Sequence, residues 1–166
     1  GDPVSSACGT GACFTMSGGA FTYSDTTAGA NATASCAAFA VANQTAQISL
    51  TDVTLKNSCP TLLLAALNSS WNYKGGTVTF KSWGNALTGN VVVDAVSSAD
   101  IYLYAGTNAS TLTGAINTAN TSKSVALTLD AASKWVVTGT SYLSSLTNAA
   151  SGNANISCQT AGCKVY

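Results

Sequence analysis

The chain predicts an all-β fold, a right-handed parallel β-helix (a solenoid) with coils of about 25 residues. Three observations carry that expectation. ALTGNV at 86–91 returns as TLTGAI at 111–116 and VVTGTS at 136–141, so Thr88-Gly89, Thr113-Gly114 and Thr138-Gly139 are each 25 residues apart. No segment sustains the 3.6-residue apolar pattern of a long helix. Between the apolar runs lie clusters of Gly, Asn, Ser and Asp, such as KSWGNA and AGTNAS, which suit tight surface turns. A β-sandwich uses similar strands and turns but does not predict equal spacing. The expected hand follows from parallel crossovers, which are right-handed in nearly all proteins.

The elements follow in order. All 166 residues read as one β-helix domain, with residues 1–75 as irregular N-terminal coils and 76–166 as regular 25-residue coils. FAVAN at 39–43 and ISLTDVTL at 48–55 read as early strands, and Leu50-Thr51-Asp52-Val53 echoes Leu87-Thr88-Gly89-Asn90-Val91. CPTLLLAALNSSW at 59–71 reads as an insertion of one or two helical turns that breaks the count. TVTFK at 77–81, IYLYA at 101–105 and ALTLD at 126–130 supply a second strand per coil, and their one-residue drift suggests a bulge between the first two. Alternation then places Leu87, Leu112 and Val137 in one inward column and Thr88, Thr113 and Thr138 in one outward ladder. About five or six coils result.

Composition narrows the function. Charged residues are only 7% of the chain, against about 25% in an average soluble domain. Such a surface offers no footprint for nucleic acid. The longest apolar run, PTLLLAAL at 60–67, is far too short to span a bilayer, so direct membrane insertion is not expected. There is no His, Arg or Glu, and Asp2, Asp25, Asp52, Asp94, Asp100 and Asp130 are scattered. The usual general bases and paired carboxylates are therefore missing, and neither catalysis, a metal nor a cofactor is expected. The aspartates read more simply as turn residues.

Cysteines stand at 8, 13, 36, 59, 158 and 163. Without His or a CxxC pair, disulfides in an oxidising compartment fit better than zinc. Six cysteines allow 15 pairings, and local closure predicts Cys8–Cys13, Cys36–Cys59 and Cys158–Cys163. Sequons begin at Asn31, Asn43, Asn68, Asn108, Asn120 and Asn155, six of thirteen asparagines. Both features point to a secreted, extracellular glycoprotein, either free or attached to a cell wall or cell surface. The chain begins at Gly1 without Met, so a signal peptide or C-terminal anchor would lie outside it.

The LTG strands, LDAASKWVVTGTSYLSSL at 129–146 and the ending NISC…CKVY together resemble secreted or surface-attached β-helix domains of adhesin type from microbial cell-envelope proteins. The resemblance spans roughly residues 76–166, and its motifs are structural. It implies a β-helical fold and a place at the cell surface, not a reaction.

Aromatic residues are the functional lead. Trp71, Tyr73 and Trp83 flank the strand at 77–81, and Tyr102 and Tyr104 point outward if Ile101 and Leu103 point inward. The two tyrosines would lie about 7 Å apart along the strand. Outward rings with polar neighbours suit sugar stacking, so Trp71, Trp83, Tyr102 and Tyr104 are the candidate residues for carbohydrate or a cell-surface glycan. The competing structural reading has the tryptophans covering coil edges. An ice-binding face built on Thr88, Thr113, Thr138 and Thr140 is a second reading, although Thr is also simply a good strand former. End-to-end self-association into filaments is a third, since solenoid ends expose strand edges.

Overall fold

Apolar residues recur at every second position between breaks that carry Gly, Asn or Asp, and this alternation makes short strands. The computed structural model describes residues 11–23, 36–70 and 74–166, which carry fifteen strands, one 3-10 turn and no α-helix. Cys8, Asn31, Trp71 and Tyr73 lie outside the described residues.

The order begins with β1 (Ala12–Ser17), β2 (Ala20–Tyr23), β3 (Ala37–Ala42), β4 (Thr45–Thr51), β5 (Thr54–Asn57) and β6 (Thr61–Ala66). Next come β7 (Thr77–Trp83), β8 (Ala86–Thr88), β9 (Asn90–Val93), β10 (Ser98–Tyr104) and β11 (Thr111–Thr113). The order ends with β12 (Ser124–Leu129), β13 (Lys134–Val137), β14 (Ser145–Asn148) and β15 (Ile156–Cys158). The chain returns again and again to the same sheets. β1-β4-β7-β10-β12-β14 form a six-stranded sheet, β8-β11-β13-β15 a four-stranded one, β3-β6-β9 a three-stranded one, and β2-β5 a pair. Every pairing among the described strands is parallel. Parallel neighbours cannot be joined by a hairpin, so each is reached by a crossover. Here the crossovers are themselves strands, an arrangement consistent with a β-solenoid.

Inward residues stack in columns across the ladders. Ile48, Phe80, Ile101 and Leu127 stand opposite one another in the six-stranded sheet. Leu87, Leu112 and Trp135 form a second column, and Phe39, Leu63 and Val91, continued by Ile116, a third. All belong to one hydrophobic cluster. Two disulfides join described residues: Cys36–Cys59, with Cα atoms 5.3 Å apart, and Cys158–Cys163, at 5.9 Å. The first joins the residues just before β3 and β6, two paired strands. Cys13 is also disulfide-bonded, but its expected partner, Cys8, falls outside the described residues.

Corners explain the repeated Thr-Gly. ALTGNV is not one strand but two, with Gly89 at the break in a left-handed conformation, φ 121°. A Cβ on Gly114 would collide with the Gly89 carbonyl oxygen, so both glycines are required where two corners stack closely. Gly139 is different. A Cβ there would meet only the Ala115 Cβ at an ordinary 3.6 Å.

Several expectations need correction. Residues 61–66 of the presumed helical insertion are strand β6, because Leu62 and Leu63, on successive faces, are both buried at 1% and 0% exposure. The 25-residue spacing holds between β8 and β11, where Leu87 pairs with Leu112 and Thr88 with Thr113. It then slips: Thr113 pairs with Val136, not Thr138, and Leu112 pairs with Trp135, not Val137. A two-residue slip leaves every side chain on its own face, and it brings the larger Trp135 into the core column, where its indole N–H donates to Gly114 O at 2.9 Å. Ser141 restores the 25-residue offset, its hydroxyl accepting from Ile116 N at 3.0 Å. The second strands also pair differently. Thr77 lies opposite Ser98 and Phe80 opposite Ile101, in an unbroken register without the expected bulge. Nor is the Leu50-Thr51-Asp52-Val53 echo equivalent to 87–91, since Leu50 belongs to the six-stranded sheet and Leu87 to the four-stranded one.

A buried polar corner lies between β7 and β8. Asn85, 1% exposed, donates through Nδ2 to Leu50 O at 2.9 Å, Ser82 Oγ at 2.8 Å and Trp83 O at 3.1 Å. Its Oδ1 accepts from Val53 N at 2.6 Å. The Ser110 hydroxyl receives Asn85 N at 3.2 Å and lies 2.7 Å from Tyr104 O. Side chains thereby satisfy backbone groups that the chain leaves behind as it turns.

Candidate functional site

Three aromatic rings form a row on the outer face of the six-stranded sheet. Along β10, Ile101 and Leu103 are 2% and 0% exposed, so alternation turns Tyr102 and Tyr104 outward. Trp83 is the register partner of Tyr104 on the neighbouring β7. The Trp83 and Tyr104 rings stack with centroids 6.2 Å apart at 26°, and Tyr102 and Tyr104 at 6.3 Å and 17°. All three are half-buried. Each ring therefore keeps part of its surface exposed on the outer face of the sheet. Trp71, the fourth candidate, lies outside the described residues.

The polar surroundings are sparse. Lys81 pairs with Tyr102 across the ladder and Ser49 with Lys81, and both are buried although they face outward. Thr128 flanks Tyr102 on the other side. Asp100 is exposed, two residues before Tyr102 on the same face, between Thr79 and Ala126. Partial burial, and secondarily the charge of Asp100, push the Tyr102 phenol above its usual range. It therefore stays a neutral donor at physiological pH.

The other described aspartates are committed to the fold. Asp52 accepts Thr107 N and Oγ1, each at 2.8 Å. Asp94 accepts Leu67 N at 2.5 Å and Val96 N at 3.1 Å. Asp130 accepts Ala105 N at 2.6 Å, Ser133 N at 2.7 Å and Ala132 N at 3.1 Å. Burial alone would raise the Asp130 pKa, but the hydrogen bonds led by Ala105 outweigh it and the net shift is downward. A depressed carboxylate contributes stability above its unfolded value, about 3.9, and loses it as pH falls through the folded value. Asp130→Asn is accordingly expected to lower Tm at pH 7. Its deficit against the parent protein should shrink in melting curves taken below pH 4.

Other nominated residues separate in space. Thr88 and Thr113 are paired neighbours, but Val136 follows them in the ladder, and Thr138 and Thr140 lie beyond it. Asn43 and Asn68 are tied to each other, Nδ2 of Asn43 donating to Asn68 O at 2.8 Å and its Oδ1 accepting Asn68 N at 2.9 Å. Asn155 donates through Nδ2 to Asp130 O at 3.1 Å and Ser133 O at 2.6 Å. Asn108 and Asn120 are exposed. Among the described residues, no group of three His, Cys, Asp or Glu could hold a metal, and no helix is long and apolar enough to cross a membrane.

Two aromatic groups were not foreseen. Tyr142 and Tyr166 stack at 5.2 Å and 12°, brought together by the bridge between Ser141 and Val165. Only the spacing of the two tyrosines, close to one repeat, could have signalled it. Phe14, Phe21 and Phe39 cluster with ring centroids 5.4–6.0 Å apart and line a cavity of about 330 Å³ beside β1 and β3.

No family model, curated protein or solved structure matches this chain. The functional reading therefore rests on the geometry and on the chemistry of the exposed faces.

Proposed function

We propose that the chain is a right-handed parallel β-helix that serves as a non-catalytic extracellular glycoprotein module. Its role is adhesive or structural at a cell surface, and it binds carbohydrate through Trp83, Tyr102 and Tyr104. The observation that carries this reading is the row of three rings, stacked at 6.2 and 6.3 Å on a six-stranded parallel sheet. A pyranose offers an apolar face to such rings and polar edges to their neighbours, and a rigid platform minimises the ordering cost of binding. Supporting it are the two disulfides, which fit an oxidising compartment, and the lack of His, Arg and Glu. The resemblance to envelope-protein adhesins points the same way.

Depletion binding to insoluble polysaccharides tests the site. Each lost ring contact is worth roughly 0.5–1.5 kcal/mol beyond its area, so Trp83→Ala with Tyr104→Ala should weaken binding by at least about tenfold. Its melting curve should remain cooperative. Unchanged binding by the double variant would remove the aromatic row from the mechanism.

A further inference from the structure

We infer that Asp100 is the specificity-determining acceptor of the aromatic row and restricts its ligand to neutral, hydroxyl-bearing pyranose chains, excluding uronates and sulfated sugars. This deepens the carbohydrate reading and rests on it.

Four described aspartates can be compared: Asp52, Asp94, Asp100 and Asp130. Three spend their carboxylate oxygens on backbone N–H groups or a Thr hydroxyl within the fold. Asp100 makes no such bond and is exposed. A turn or capping role therefore does not account for it, and it stands in mid-strand, where Asp is disfavoured. Within the strands of the six-stranded sheet the only charged residues are Lys81 and Asp100. Lys81 is 7% exposed, so little of its cation faces a ligand. Among the described strand residues of this sheet, the carboxylate of Asp100 is thus the exposed formal charge.

Its position fits the row. Asp100, Tyr102 and Tyr104 share one face of β10 at successive steps of about 7 Å. The flanking residues are Thr79, which adds a hydroxyl, and Ala126, which leaves space. A sugar chain along the strand would stack rings on Tyr104 and Tyr102 and bring hydroxyls to Asp100. Hydroxyl-to-carboxylate bonds are short and charge-assisted. A carboxylate or sulfate on the same ring would instead face a like charge.

The test compares wild type, Asp100→Ala, Asp100→Asn and the Trp83→Ala/Tyr104→Ala variant in depletion assays on a neutral β-glucan, a neutral mannan, polygalacturonate and chitosan. The expected pattern has four parts. Wild type binds a neutral polymer but not polygalacturonate. Asp100→Ala weakens neutral binding by roughly tenfold or more. Asp100→Asn, which keeps an acceptor, loses less and gains polygalacturonate binding. Both Asp100 variants melt as the parent does, because the Asp100 side chain holds no hydrogen bond in the fold. Neutral binding that survives Asp100→Ala, with polygalacturonate still excluded, would overturn the assignment to Asp100 and leave the aromatic site standing. Preferential, salt-sensitive binding of chitosan that Asp100→Asn abolishes would overturn the neutral-ligand assignment. Wild type that binds none of the four polymers would overturn the carbohydrate reading as well.

Discussion

Replacing Trp135 with alanine is expected to cost about 3–5 kcal/mol of stability, the usual range for removing a large aromatic from a packed interior. The side chain is 0% exposed and stands between Leu112 and Ile156 in the inner column of the four-stranded sheet. Its loss empties a volume that rigid sheets cannot close around. Trp135→Phe separates packing from hydrogen bonding. It keeps most of the apolar contact but leaves Gly114 O without the indole donor, for about 1–3 kcal/mol. Guanidinium unfolding followed by circular dichroism gives both numbers. A midpoint that barely moves in Trp135→Ala would mean that this column is not packed as described.

Asn85→Ala carries the next largest effect, about 2–4 kcal/mol, although the residue contributes no apolar surface to the core. Four hydrogen bonds converge on its side chain, from Val53 N and to Leu50 O, Ser82 Oγ and Trp83 O. Truncation leaves these groups buried without their partner, which costs more than the bonds themselves contribute. For a chain of this size each kcal/mol lowers Tm by about 2–4 °C, so a drop of roughly 5–15 °C should appear in calorimetry. Asn108→Ala, at an exposed loop position, serves as the control and should melt within a degree or two of the parent. Equal melting of the two variants would show that the corner is open to water.

Much of this was readable in advance, and the exceptions have a common cause. Leu87 over Leu112, Tyr102 and Tyr104 outward, and the pairings Cys36–Cys59 and Cys158–Cys163 follow from alternation and local spacing. The two-residue slip at β13 did not, because Trp135 and Val137 lie on the same face and alternation cannot choose between them. The choice is made by volume and by an indole partner 21 residues away. Strand β6 is hard to read from sequence for a related reason: Leu62 and Leu63 are buried on both faces, and a run without alternation is equally a helix or a strand on paper. In the candidate site, the rings could be nominated singly, but Trp83 meets Tyr104 only through the register of β7 with β10. Likewise Asp100 looks like the other aspartates until their hydrogen bonds are known.

The slip at β13 keeps the large Trp135 in the core column while the corner that follows absorbs the change of offset. Three residues at 138–140 take up the difference, and the ladder resumes at Ser141. A chain built this way can lengthen by whole layers or carry extra residues at its corners without inventing a new kind of contact. Growth would then be additive: one more layer adds one strand width, about 4.8 Å, to the lateral face. The aromatic row spans only two adjacent strands, so it could be copied, moved or lost by exchanging single layers. Such a design behaves like a ruler, with its length set by the number of layers and the chemistry of its face by what is written on one or two of them.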